Sequence, residues 1–385
     1  MTYVNYKEKL ETVQNNILEF LDHDDNDEEN LQNLNYFIEE NKMNDSQDKI
    51  KTILYLLSNI VDHHHHHFPT FFDKVEMILL IFREKIIFYF TNSEIYNFFK
   101  NNKKILLFLI LFNVITFDEF LYNLITKDKY KLYNFPKYFS PEIKHLISEF
   151  TEDITDTEEE NNESEENEEY LNKIPNDFDE NRQNGENENF LCELIREDRI
   201  DEFKAYVNDG NISLDSQIEP SLYECNLFLL QNQETTLIEY SAFFGSIQIF
   251  EYLYSKRVKL TPKIWIYAVH GDNLELILFL EQYQNDFEKV PFEECFKESI
   301  KCHHNSIAQH FRTNFMDQNE IDNKIKNDYK DNMYSYGFHF YNFSYLPRRL
   351  TNNKFIFYYA CEFDYFYLVE LLMNMKPMDL NFKII

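Results

Sequence analysis

Glycine is scarce, with 5 in 385 positions against roughly 7% in average proteins. Gly185, Gly210, Gly245, Gly271 and Gly337 stand too far apart to form G-x-G-x-x-G, and none precedes a lysine. Neither a dinucleotide cradle nor a phosphate-binding loop of the G-K-[ST] type is therefore available. Glycine-dependent tight hairpins are equally few, which favours helices over sheets. The five cysteines, Cys192, Cys225, Cys295, Cys302 and Cys361, contain no C-x-x-C pair. That odd, scattered set argues against a disulfide framework or a zinc ribbon, and the thiols are expected as small buried groups.

Long apolar runs are missing too. The longest, Ile105 to Phe117, has 13 residues and includes Asn113 and Thr116; a bilayer span needs about 20, so a buried helix without membrane insertion is expected. Positive charge is in deficit, 37 Lys plus Arg against 68 Asp plus Glu for a net charge of -31, which argues against nucleic acid or an anionic membrane as partner. The 16 acidic and two basic side chains from Thr151 to Asn189 give this stretch -14 and leave -17 for the rest. Residues 151–189 therefore read as an acidic disordered linker. Lys7, Glu8, Lys9, Glu11 and Glu19 interrupt the region where a secretory signal would be apolar, so an intracellular, cytoplasmic location is expected.

What the chain has in abundance is large apolar side chains, with 38 Phe and 27 Tyr. From Val4 to Leu21, Tyr6, Leu10, Val13, Ile17 and Leu21 recur at helical steps on one face. Further helices are predicted at Leu31–Glu39, Asp48–Val61, Phe71–Tyr89, Ser93–Phe99, Lys104–Asn113, Phe117–Ile125 and Pro141–Phe150. Their short joints suggest antiparallel neighbours, so residues 1–150 are expected to form a helical N-terminal domain, a solenoid or bundle.

Beyond the acidic stretch one pattern returns. T-L-I-E-Y-S-A-F-F-G-S-I-Q-I-F-E-Y-L runs from Thr236 to Leu253, K-I-W-I-Y-A-V-H-G-D-N-L-E-L-I-L-F-L from Lys263 to Leu280, and F-I-F-Y-Y-A-C-E-F-D-Y-F-Y-L-V-E-L-L from Phe355 to Leu372. These copies resemble the ankyrin repeat, T-P-L-H-x-A-A-x-x-G-H-x-x-V-V-x-L-L over about 33 residues. Ile238, Trp265, Phe296 and Phe357 fill the leucine slot, and Ser241-Ala242, Ala268-Val269, Ser299-Ile300 and Ala360-Cys361 the alanine pair. Gly245, Asp272, His303 and Asp364 fill the glycine slot. Second-helix positions hold Ile249, Phe250 and Leu253, then Leu276, Ile277 and Leu280, then Ile307, Ala308 and Phe311, then Leu368, Val369 and Leu372. A fainter copy at Leu191 to Val207 has Leu194-Ile195 and Asp198 in register. The small-residue positions 194, 241, 268, 299 and 360 are 47, 27, 31 and 61 apart. The first step predicts an insertion around Asp215 to Gln231; the last predicts a diverged copy within Asp317 to Tyr345. With the helical N-terminal half, the chain is similar to expanded protist ankyrin families that carry a helical domain of unknown function.

The expected architecture is thus all-α, a helical N-terminal domain over 1–150 followed by an ankyrin-like repeat stack over 190–385, clearest at 236–262, 263–290 and 355–385. The resemblance implies a scaffold that binds another protein, without enzymatic activity or cofactor. Lys256, Arg257, Lys259 and Lys263 cluster where a repeat-connecting loop projects, and they are the candidate partner contact. Three other features invite sharper readings. His63 to His67 offer a run of metal ligands, but their place between a helix and Phe68-Pro69 fits an exposed loop better. Cys302-His303-His304, with Cys295 seven residues earlier, offers a Cys-His catalytic pair or a ligand set, yet falls where a helix break is due, and a structural turn accounts for it more simply. Trp265, the single tryptophan, could anchor an interface, but its slot is a core position.

Overall fold

With so few glycines and prolines, long stretches of Leu, Ile, Phe, Lys and Glu have little to break them, and the helix is their natural state. In the computed structural model the described residues are 2–22, 28–64, 70–126, 134–152, 175–283, 290–316, 333–349 and 354–374. Every regular element among them is helical, as composition and periodicity predict. None of these helices is long and apolar enough to cross a membrane. Helices Tyr3–Asp22, Glu28–Glu40, Gln47–His63, Phe71–Tyr89, Asn92–Phe99, Lys103–Leu111, Glu119–Ile125 and Ser140–Glu152 lie where the periodicity puts them. The fifth begins earlier than predicted, capped by Thr91, which bonds reciprocally with Glu94 in a capping box.

The chain divides into two compact units: Met1–Phe82 with Ile195–Ser216 and Thr236–Ile385, and Arg83–Leu194 with Gln217–Thr235. Two expectations about domains change here. Residues 1–150 are not one packing unit, since 1–82 group with helices from the far end of the chain. Residues 217–235, over most of the stretch expected to be an insertion, group with the second unit.

In the second unit the apolar run forms the helix Lys103–Leu111, with Ile105 to Leu109 buried. The helix opens on two buried lysines. Lys103 donates to the Leu222 carbonyl and lies 5.1 Å from the Tyr138 ring, and Lys104 donates to the Gln183 carbonyl. The acidic linker expected over 151–189 does not reach Asn189. Residues 153–174 lie outside the described residues, whereas Phe178–Asn184 is a helix with Phe178 and Arg182 buried. Arg182 is the reason: it meets both oxygens of Glu142 at 3.0 and 2.7 Å, Asp179 at 2.9 Å and the Tyr138 carbonyl at 3.2 Å. A buried guanidinium, bonded through both terminal nitrogens, holds this acidic segment in place; average composition hides it.

The first unit contains a recurring helix pair. Phe190–Arg196, which begins in the second unit, precedes Ile200–Asp209; then come Leu237–Phe243 with Ile247–Ser255, Ile264–His270 with Leu274–Gln282, Phe292–Lys301 with Asn305–Phe315, and Lys354–Glu362 with Phe366–Met373. Each pair is joined by three residues, and the middle one lies in the left-handed region: Asp198 (φ 50°), Gly245 (65°), Asp272 (44°), His303 (63°) and Asp364 (57°). These are the positions that the sequence pattern marks as its break. A sixth pair, missed by the clear copies, falls within the predicted diverged segment. Helix Met333–His339 leads through Tyr341 (φ 54°) into a single 3-10 turn, Phe343–Tyr345.

The turns share their hydrogen bonds. The left-handed residue donates its N–H to the carbonyl three residues back in five cases: Asp198 to Ile195, Gly245 to Ala242, Asp272 to Val269, His303 to Ile300 and Tyr341 to Phe338. The next residue carries a polar side chain that reaches the preceding pair: Ser246 donates to the Ile195 carbonyl, His304 Nδ1 to Val269 at 2.8 Å and Asn342 to Ile300 at 2.9 Å. Each accepting carbonyl is the one already used inside the earlier turn, so consecutive pairs are locked in a single register. Four residues before each left-handed position stands Leu194, Ser241, Ala268, Ser299, Gly337 or Ala360, five of them small. A Cβ on Gly337 would lie 2.9 Å from the Tyr345 backbone, so the short sixth pair closes onto bare glycine.

The first and third helices of the chain lie along three of these turns. Gln14 donates to Asn342 Oδ1 at 3.2 Å and accepts from the Phe343 N–H at 2.6 Å. His64 Nδ1 donates to the Cys302 carbonyl at 2.8 Å, and Tyr55 donates to Asp364 at 3.1 Å while its ring stacks 4.9 Å from that of Tyr341. These bonds are why residues 1–82 join the C-terminal helices.

Substituting Gly337→Ala should destabilise the first unit by about 1–3 kcal/mol, the usual cost of overpacking, because the obstacle is backbone. Thermal or urea unfolding followed by circular dichroism measures this, and an unchanged midpoint would refute the close approach.

Candidate functional site

Two places in the first unit concentrate polar chemistry. The exposed one is the loop between Ile247–Ser255 and Ile264–His270, on which Lys256, Arg257, Lys259 and Lys263 are all exposed. The loop is anchored while its charges project. Arg257 ends the helix at φ 62°, Val258 beside it is buried, the Lys259 N–H reaches Asp215 Oδ1 at 3.4 Å, and Thr261 donates to Glu239 at 2.9 Å. Lys256 Nζ sits 5.4 Å from the Tyr252 ring. The result is a fixed backbone presenting four cations on an acidic protein.

The residues of the sequence pattern lie mostly in the core. Ile238, Ala242, Ile249, Leu253, Trp265, Ala268, Leu276, Leu280, Ala360, Leu368 and Leu372 are buried. Gly245 is half-buried at its turn, and Phe357 is half-buried where Ile356, one residue earlier, is buried instead. Phe357 belongs to the last described pair, and no further helix among the described residues covers it. Trp265 is fully buried against Phe292, with ring centroids 5.7 Å apart.

The second place is buried, and it joins features that the sequence keeps apart. Helix Gln47–His63 brings His63 and His64 to the turn Cys302-His303-His304, while His65 to His67 lie outside the described residues. His64 is held between two acceptors, the Cys302 carbonyl and Asp22 Oδ1, each at 2.8 Å. Burial disfavours its charge, but those acceptors raise its pKa above the ordinary value. The ring of His304 lies 4.9 Å from that of His64. His304 spends Nδ1 on the Val269 carbonyl, and its Nε2 has no hydrogen-bond partner among the described residues; the His303 ring lies by the Tyr341 and Lys301 backbone. Burial, then the neighbouring His64 charge, pushes the His303 pKa down to about 3. Burial also brings His304 to about 3, against the pull of Asp272.

Beside this turn, His270 Nε2 meets Glu298 Oε1 at 2.7 Å, and Cys302 Sγ lies 3.4 Å from His270 Nδ1. One donor atom from each of His270, Glu298 and Cys302 lies within 4.8 Å of the others. Burial lowers the His270 pKa, so the neutral ring donates Nε2–H to Glu298 and turns its Nδ1 lone pair to the thiol. Burial opposes ionisation of Glu298, yet His270 and Lys301, at 2.8 Å, hold its carboxyl well below the usual range. The Cys302 thiol is pushed well up by burial and by Glu298, the reverse of what a thiolate nucleophile needs. Cys295, singled out with Cys302 in the sequence, is not part of this group.

His270 and Glu298 carry no sequence motif. Their signal is register: His270 stands two residues before one left-handed position, Glu298 five before the next, and neighbouring pairs lie side by side. Family models, curated protein sequences and solved structures give no match to this chain.

The two depressed imidazoles make stability fall with acid. The unfolded chain binds a proton at each near pH 6.5, the ordinary histidine value, and the folded chain only near 3. Stability is therefore intact above about 6.5 and declines as pH drops toward 3, the folding constant losing up to roughly tenfold per pH unit for each such histidine. His303→Asn keeps a residue that tolerates the left-handed turn and removes one titration. Urea melts at pH 7 and pH 5 in chelator-containing buffer should show a smaller acid loss for this variant; an equal loss would refute the assignment.

Proposed function

We propose that this chain is a non-enzymatic, ankyrin-type scaffold that binds an acidic protein surface through the loop Lys256–Lys263. The observation that carries the reading is the turn used six times, each with a left-handed middle residue, in register across neighbouring pairs. A helix pair of this kind cannot close a core alone, and its apolar side is satisfied by the next pair. That is the economy of a repeat protein, and the likeness of residues 236–253 to the ankyrin pattern supplies the class. The turns at His303, Tyr341 and Asp364 are engaged by the chain's own Tyr3–Asp22 and Gln47–His63 helices. The connecting loop with Lys256, Arg257, Lys259 and Lys263 is not, which makes it the contact of choice. Opposite charge steers such encounters and fixes register more than it adds affinity.

Cross-linking mass spectrometry in the native cell tests this. Cross-links from Lys256, Lys259 and Lys263 to one partner's acidic segments are expected. The Lys256→Glu, Lys259→Glu, Lys263→Glu variant should lose that partner at least tenfold while its melting temperature stays within a few degrees, since surface substitutions usually shift stability by less than about 0.5 kcal/mol. Full retention of the partner by this variant would overturn the assignment of the loop.

A further inference from the structure

We propose that His270, Glu298 and Cys302 form a buried binding site for a zinc-class divalent cation that clips two neighbouring helix pairs together. The three side chains come from two pairs, His270 from the end of Ile264–His270, and Glu298 and Cys302 from Phe292–Lys301 and the residue after it. Glu298 and Cys302 are four apart, so both point to one face. Their donor atoms and that of His270 fall within 4.8 Å of one another. The Cys302 Sγ to His270 Nδ1 separation is 3.4 Å; sulfur and nitrogen bound to one tetrahedral zinc at ordinary bond lengths stand about 3.5 Å apart. Imidazole, thiolate and carboxylate together suit zinc, and a site with only one oxygen donor does not suit magnesium or calcium.

A second observation points the same way. His304 is 2% exposed, and its Nε2 lacks a hydrogen-bond partner among the described residues. Each such buried polar atom costs about 1–3 kcal/mol, an expense without return if the region served only as a turn.

The proton balance is simple. The cation takes the place of the Cys302 thiol proton, which leaves to solvent, and accepts the lone pair of His270 Nδ1. His270 and Lys301 both bond Glu298 through Oε1, and the carboxylate turns to the ion as these bonds give way. The Lys301 ammonium, whose side chain is 18% exposed, moves outward as the positive ion arrives. Glu298 gives up its hydrogen bond to His270 Nε2–H to reach the ion, since one carboxylate cannot hold the far nitrogen of the ring and an ion bound at Nδ1 at once.

Cobalt(II) titrated into the full-length, chelator-stripped protein provides the test, because a thiolate ligand gives a charge-transfer band that imidazole and carboxylate do not. One cobalt per chain with this band, displaced by Zn2+, is the expected result. Cys302→Ser should abolish the band, and Glu298→Gln, retaining its helical circular dichroism and melt, should weaken binding about tenfold or more. The variant with His65, His66 and His67 changed to alanine should bind as before. No stoichiometric cobalt, or a band that survives Cys302→Ser, overturns the proposal. So does binding lost with the His65 to His67 variant alone, which would put the ion on the histidine run.

Discussion

One kind of hydrogen bond governs the first unit: a polar side chain just after a left-handed residue reaching a carbonyl of the pair before it. Ser246 to Ile195, His304 to Val269 and Asn342 to Ile300 fix both the distance and the phase between neighbours. A helix packed only by apolar contact can slide by a turn at little cost, whereas a buried carbonyl that loses its donor costs about 1–3 kcal/mol. The small residues four positions before each turn then let the helices come close enough for that bond to form. The left-handed residues are costly for side chains other than glycine, about 1–2 kcal/mol each. The fold tolerates Asp198, Asp272, His303, Tyr341 and Asp364 there because bonds on both sides over-determine the geometry. Tyr341 is the clearest case, with its ring stacked on Tyr365 at 4.8 Å and its hydroxyl on the Phe363 carbonyl.

Helices were legible in the sequence because their signal is local. The 3.6-residue period of Tyr6, Leu10, Val13 and Ile17 needs no knowledge of what lies opposite. The breaks at Gly245, Asp272, His303 and Asp364 were legible for the same reason, being bracketed by small and apolar residues at fixed offsets. The sixth pair was visible only as an overlong interval, since Tyr341 and Gly337 disguise both its break and its small slot.

What the sequence could not disclose is which distant segments meet. Nothing local marks Gln14 as the partner of Asn342, or Asp22 and Cys302 as the two acceptors around His64. For that reason residues 1–150 look like one domain, and Arg182 looks like one cation lost among carboxylates. The histidine run and the Cys302 turn each look ordinary alone; their meaning as a group depends on a fold that places them together, with His270 and Glu298 supplied by register.

The bond between Tyr3 and the Pro347 carbonyl joins residues almost a whole chain apart. A ribosome releases the first helices long before it makes the segment that shelters them. Tyr3 and Gln14, whose partners are the Pro347 carbonyl, Asn342 and Phe343, must wait for them through most of translation, an interval in which chaperones have a claim on this chain. A product cut short before residue 333 leaves both polar groups without those partners and offers quality-control proteases a handle.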